Sequence, residues 1–224
     1  ELRAYLLVQQ KRREAGLWNA AISMHMVFTG NPGTGKTTVA RLLGRLFAAM
    51  GVLIRGHLIE VERADLVGEY IGHTAHRTRE QLQKATGGVL FIDEAYSLIR
   101  GGEKDFGREA IDALVKGMED ARERVIVILA GYPREMEAFL AVNPGLRSRF
   151  PVHMEFPDYT PDELIQIADV MCREKDYRLT EGARRHLRWL IAAHGDRLPG
   201  NARDIRNVLE RAMRRQAVRL HRRA

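Results

Sequence analysis

Eight residues, Gly30-Asn31-Pro32-Gly33-Thr34-Gly35-Lys36-Thr37, match the pattern G-x-x-x-x-G-K-[ST] at every fixed position. They follow a short apolar run, His25–Thr29, and precede residues at helical spacing: Val39, Leu42, Leu43, Leu46 and Phe47. A strand that turns tightly into a helix is the setting such a loop needs. Glycines let backbone N–H groups wrap phosphate oxygens, and the helix start adds a positive pole. There Lys36 is expected to reach the β- and γ-phosphates of a nucleotide, and the Thr37 hydroxyl to hold Mg²⁺. The nucleotide-binding set is Gly30, Asn31, Pro32, Gly33, Thr34, Gly35, Lys36 and Thr37, with Thr38 beside them.

Four more short runs rich in apolar residues follow: His57–Val61, Val89–Asp93, Val125–Ala130 and Val152–Phe156. Segments with helical spacing separate them, which predicts a parallel sheet covered on both faces. After Phe156-Pro157 the strand pattern stops. Thr160-Pro161-Asp162-Glu163 reads as a helix start, with Thr as N-cap, Pro at N1 and Glu completing a capping box. Helical patterns then cover about 161–175, 181–194 and 202–222, the last opening on Asn201 as N-cap. The expected division is an α/β part carrying the phosphate loop over 1–158, with an amphipathic helix at 2–15 within it, and a helical part over 159–224.

Val89-Leu90-Phe91-Ile92-Asp93-Glu94 is a buried-type strand ending in two carboxylates. A phosphate loop needs an acidic partner at a neighbouring strand tip to hold the Mg²⁺ shell, and Asp93 suits that role. Glu94, one residue further, suits polarisation of an attacking water. A kinase or G-protein needs no such adjacent Glu, so ATP hydrolysis is the expected reaction.

Composition narrows the partners. Lys plus Arg total 36 against 29 Asp plus Glu, a formal net charge of +7. Residues 1–158 hold 21 basic and 20 acidic side chains, so the excess belongs to the helical part, which holds 15 and 9. Six Arg and no carboxylate lie in the last fourteen residues, which reads as a solvated helix end whose cations suit the helix dipole, with a subunit contact or an acidic partner as the alternative to it. One cysteine, Cys172, excludes a disulfide scaffold, and no apolar run is long enough to cross a bilayer. His73 and His76 lack the further ligands a zinc site needs, and Trp18 and Trp189 read as packing residues. The expected location is cytoplasmic. The first residue is Glu1 rather than Met, and the expectation is an ATPase core parted from a longer protein.

The chain resembles the AAA+ ATPases, and within them the CbbX/SpoVK group, which takes in red-type Rubisco activases and a sporulation branch. The strings that carry the resemblance are His25–Thr38, Arg63–Thr74, Gly87–Ser97 and Asn143–Arg149. It implies a five-stranded parallel sheet in the order 5-1-4-3-2 with a small helical lid, and a homo-hexameric ring with ATP between subunits. It implies that Arg149 is the arginine finger, with Arg147 a second candidate. It makes Arg203 the lid's phosphate sensor, a role Arg206 could share. The usual polar sensor after the fourth strand falls here on Ala130-Gly131-Tyr132, so Tyr132 is the nearest polar group, a departure from the superfamily. Tyr70-Ile71-Gly72 resembles the pore loop that grips polypeptide, and Arg100–Gly107 resembles a second one.

The function implied is a protein-remodelling machine nearer the sporulation branch, on the strings Glu60–Asp65 and Gly101–Gly107. Alternatives are Rubisco reactivation regulated by a sugar bisphosphate and, with only the basic lid behind it, loading of a nucleic acid. A scaffold without turnover fits poorly with an intact Glu94.

Overall fold

A computed structural model describes residues 8, 11–12, 15–16, 23–70, 72–101, 105–121, 124–193 and 200–222. Most of the amphipathic segment 2–15, together with Trp18 and Ile71, lies outside the described residues.

The sheet contains β1 (Met26–Gly30), β2 (Leu58–Val61), β3 (Val89–Ile92), β4 (Ile126–Gly131) and β5 (Val152–Phe156). The strands lie in the order β2-β3-β4-β1-β5, all parallel, which is the order 5-1-4-3-2 read from the other edge. Residues of β3 and β4 are buried throughout, as a central strand covered on both faces requires. The edge strand β5 alternates between half-buried and exposed residues.

Helix α1 (Lys36–Ala49) covers one face, against Met26, Phe28, Phe91 and Ile128. Its buried arc is Ala40, Gly44 and Phe47, flanked by Val39 and Leu43. Leu42 and Leu46 fall outside it and are exposed, so the apolar spacing read along this helix is only partly a core stripe. The other face packs Val27, Leu90, Ile92 and Leu129 under three helices. These are α3 (His73–Lys84), which follows the short α2 (Arg63–Leu66), α4 (Gly107–Asp120) and α5 (Pro133–Val142). A 3₁₀ turn, Ala95–Ile99, follows β3, and α6 (Pro144–Arg149) leads into β5.

Beyond β5 the described chain is helical: α7 (Pro161–Arg173), α8 (Glu181–Ala193) and α9 (Ala202–His221). They enclose their own core of Leu164, Ile165, Ala168, Leu187, Ile191 and Ile205, with Cys172 buried among them. Helix α7 starts on the expected capping box: Thr160 Oγ1 accepts from the Glu163 N–H, and the Glu163 carboxylate accepts from the Thr160 N–H at 2.8 Å. Two expectations are corrected. Trp189 is 60% exposed and stacks on His186, so it is no core residue. Asn201 stands at the N-cap position of α9 but does not cap it; its side chain turns toward the α/β part.

Candidate functional site

Parallel strands deliver their C-terminal ends to one edge of the sheet. Because β1 lies beside β4 and β4 beside β3, the residues just beyond them meet there: the loop after Gly30, Asp93 after Ile92, and Tyr132 after Gly131. The lid leans over this edge and closes a cleft of about 420 Å³.

Most of the residues expected to bind nucleotide line it: Gly30, Pro32, Gly33, Gly35, Lys36, Thr37 and Thr38 from the loop, then Asp93, Glu94, Tyr132, Arg203 and Arg206. Asn31 and Thr34 do not. The Thr34 hydroxyl donates to the Asn31 carbonyl at 2.8 Å, and the Asn31 amide turns to Asp158. Their side chains shape the loop, while the cleft meets backbone and glycine. Gly33 (φ +72°) shows why glycine is required: a Cβ there would lie 2.1 Å from the Gly200 carbonyl oxygen of the lid.

The Lys36 ammonium is held inside the loop, donating to the carbonyls of Gly30 at 2.7 Å and Asn31 at 2.8 Å. Burial holds its pKa below the usual lysine value, opposed by Asp93, reinforced by Arg203 and opposed again by Glu94. Asp93 Oδ1 accepts from the Glu94 N–H at 2.9 Å, which fixes the carboxylate at the strand tip. Glu94 is exposed to the cleft and takes a left-handed backbone, φ 46° and ψ 44°, that non-glycine residues seldom adopt. The 3₁₀ turn starts from this conformation.

The donor set suits a magnesium nucleotide. The Thr37 hydroxyl and the Asp93 carboxylate are hard oxygen donors of the kind Mg²⁺ takes, and the positive-φ glycines Gly33 and Gly35 turn the loop along the cleft, where its backbone N–H groups suit phosphate oxygens. The Thr37 hydroxyl also donates to Glu60 on β2 at 3.4 Å, a long contact that places a second carboxylate near this position.

Several lining residues carry no motif. Tyr159, Ile167 and Met171 come from the lid and its connection, Val39 from α1, and Tyr96 from the 3₁₀ turn. Val39, Tyr159, Ile167 and Met171 add apolar lining suited to a planar base, while Tyr96 lies beside Tyr132. The two rings lie 5.8 Å apart, and burial, then Glu94, pushes the Tyr96 pKa up to about 12, so its hydroxyl keeps its proton. Only the capping sequence near Tyr159 gave a local signal of a turn there.

The remaining expected residues lie elsewhere. Arg149 does not line its own cleft. Its guanidinium donates to Glu119 Oε2 at 3.0 Å and to the Gly145 carbonyl at 3.2 Å, and its own carbonyl accepts from Ser23 Oγ at 2.6 Å. Arg147, on the same short helix, is exposed. Tyr70 is 66% exposed, with its ring edge-on to His73, and Gly72 precedes α3 with φ 82°. In the loop after the 3₁₀ turn, Gly102, Glu103 and Lys104 lie outside the described residues; Asp105 is bound there by Arg63. No helix among the described residues is long and apolar enough to cross a membrane.

The chain resembles known proteins along most of its length. Residues 26–158 match the ATPase family associated with various cellular activities (AAA), and residues 160–224 match the AAA lid domain. The chain is 57% identical to stage V sporulation protein K of Bacillus subtilis over 98% of this chain and 70% of that protein. It is 50% identical to protein CbbX of Cereibacter sphaeroides, over 98% of this chain and 72% of that protein. It is 47% identical to the chloroplastic ribulose bisphosphate carboxylase/oxygenase activase of Cyanidioschyzon merolae, over 98% and 76%. Among solved structures, the FIGL-1 AAA domain in complex with ADP shares the fold, with a TM-score of 0.51 at 20% identity over 77% of this chain and 57% of that one.

Proposed function

The chain belongs to the AAA family of ATPases, of the type shared by stage V sporulation protein K, CbbX and Rubisco activase, and on that premise we propose how it works and on what. The observation that carries the reading is the convergence of Lys36, Thr37, Asp93 and Glu94 under Arg203 in one cleft.

In this reading the loop N–H groups and Lys36 hold the phosphates of ATP, and Thr37 and Asp93 hold Mg²⁺. The bound metal neutralises charge on the phosphate oxygens. Glu94 orients and polarises the water that attacks the γ-phosphate, and Tyr132 borders that space. Arg203, with Arg206 behind it, reports the phosphate to the lid. Residues 1–158 act as the ATPase part and 159–224 as the lid. Arg149 stands apart from its own cleft, which suits a residue offered to the neighbour's γ-phosphate in a homo-hexamer; Arg147 is the alternative finger.

The substrate proposed for the ring is a polypeptide client, threaded through the pore in the cytoplasm. Tyr70, exposed in the loop before α3 and neighboured by Ile71 and Gly72, supports this, because an exposed ring contacts chains with little sequence preference. The identity to the sporulation relative favours that branch. The test is a Glu94→Gln trap: an ATP-loaded assembly should retain its client for mass spectrometry, and replacing Tyr70 with Ala should release it. Retention unaffected by the Tyr70 change would end the threading reading.

A second reading draws on the 47% identity to a Rubisco activase: reactivation of an inhibited Rubisco under control of a sugar bisphosphate. Purified hexamer with ATP would then restore carboxylation, and no recovery from an ATPase-competent preparation rejects it.

A further inference from the structure

A run of hydrogen bonds joins the phosphate loop to the lid along the border of the cleft. The Asn31 amide donates to both oxygens of Asp158, at 2.9 and 3.0 Å. Asp158 Oδ1 also accepts from the Asn201 amide at 2.9 Å. From the lid, the same Asn201 amide reaches the Pro32 carbonyl at 3.3 Å, while its oxygen accepts from the Tyr159 N–H at 3.0 Å. One carboxylate is therefore shared between position two of the loop and the first residue of the α9 start.

Asn201 is 4% exposed and holds φ 49° and ψ −126°, a backbone that asparagine adopts only under constraint. Helix capping does not explain it, since the side chain caps nothing and Asp204 instead accepts from the Gly200 N–H at 2.9 Å. The conformation delivers the amide to Asp158 and Pro32. The two ends of the link differ in kind. Asn201 is buried and needs its partners, whereas Asn31 and Asp158 are exposed, so water can replace their bond when it opens.

At the loop end, the carbonyl of Asn31 is one of the two acceptors that hold the Lys36 ammonium. A phosphate that draws Lys36 away therefore disturbs the very residue that Asp158 grips. We propose that Asp158 is a positioning residue that transmits occupancy of the phosphate loop to the lid segment Gly200–Ile205, and with it Arg203. The proposal rests on the loop binding nucleotide, and its test separates the two.

Hydrogen exchange of the full-length protein, with and without ADP and Mg²⁺, reads both ends of the link. In the wild type, ADP should slow the amides of residues 33–37 and, by about tenfold, those of 202–205. Asp158→Ala should keep the first effect and lose most of the second. Asp158→Asn, which keeps the size of the side chain but gives up one of the two oxygens that accept from Asn31, should keep the first effect and weaken the second. If Asp158→Ala does not fold, Asp158→Asn decides. Lid amides slowed as in the wild type in a folded variant overturn the proposal, as does a wild-type lid indifferent to ADP. No slowing of 33–37 in the wild type would instead count against nucleotide binding itself.

Discussion

The Lys36 ammonium lies 2.7 Å from the Gly30 carbonyl oxygen, so the cation intended for phosphate is held by its own loop. Burial is the largest influence on its charge, and with Arg203 it outweighs the opposing pull of Asp93 and Glu94, which is why its pKa falls. Lys36→Met should therefore leave the unliganded protein at the same Tm or higher, while ADP no longer raises that Tm. A variant that melts lower, or still gains stability from ADP, contradicts this balance. Thermal melting with and without ADP measures both.

Glu94 combines a catalytic position with an unfavourable backbone. Glu94→Gln should slow ATP hydrolysis by about 10²–10⁴-fold while binding nucleotide as before. Glu94→Gly should be as inactive yet more stable, by about 1 kcal/mol, because glycine accepts φ 46° without steric cost. Urea denaturation beside a phosphate-release assay separates the two effects. A Gly variant less stable than the wild type would show that the Glu94 side chain holds the turn together.

These two residues also mark what was legible in the sequence. Asp93 and Glu94 were readable because a continuously apolar run ends on them, and β3 is buried along its whole length. The left-handed turn at Glu94 was not, since nothing in residue type asks for it. The apolar lining of the cleft was hidden for another reason. Tyr159 donates to the carbonyl of Thr34 at 3.0 Å across 125 residues of chain, a contact made only when the lid folds back. Asn201 looked like an ordinary N-cap because local spacing carries no information about Asp158. Leu42 and Leu46 fitted helical periodicity and are nonetheless exposed, because Gly44 and Ala40 set which side of α1 approaches the sheet.

His25 gives a pH test of the sheet. Its Nδ1 accepts from the Val127 N–H at 3.0 Å, so protonation would set two donors against each other in a buried place. Burial, then Arg149, lowers its pKa from 6.5 to about 4. Between those values the unfolded chain binds the proton and the folded one does not, so stability is lost as pH falls from 6.5 toward 4 and levels below it. A shift of that size corresponds to about 3 kcal/mol at most. Replacing His25 with Gln should flatten this part of the curve of unfolding free energy against pH, measured by denaturant titration. An unchanged slope would place the titration in other groups.

Arg149 and Glu94 belong to different functional halves if the finger acts on a neighbouring subunit. Within one chain, Arg149 is tied to Glu119 at 3.0 Å and lies outside the cleft that Glu94 lines. Arg149→Ala and Glu94→Gln should each lose hydrolysis by at least about 10²-fold in the assembled protein. An equimolar mixture should regain activity, because an interface with Glu94 from one variant and Arg149 from the other is complete. Random assembly makes about a quarter of the interfaces complete in a ring of head-to-tail contacts. Recovery toward that fraction on mixing, measured by phosphate release after subunit exchange, supports a finger in trans. No recovery despite verified co-assembly rejects Arg149 for the role, and the same mixing with Arg147→Ala then tests the alternative on the same helix.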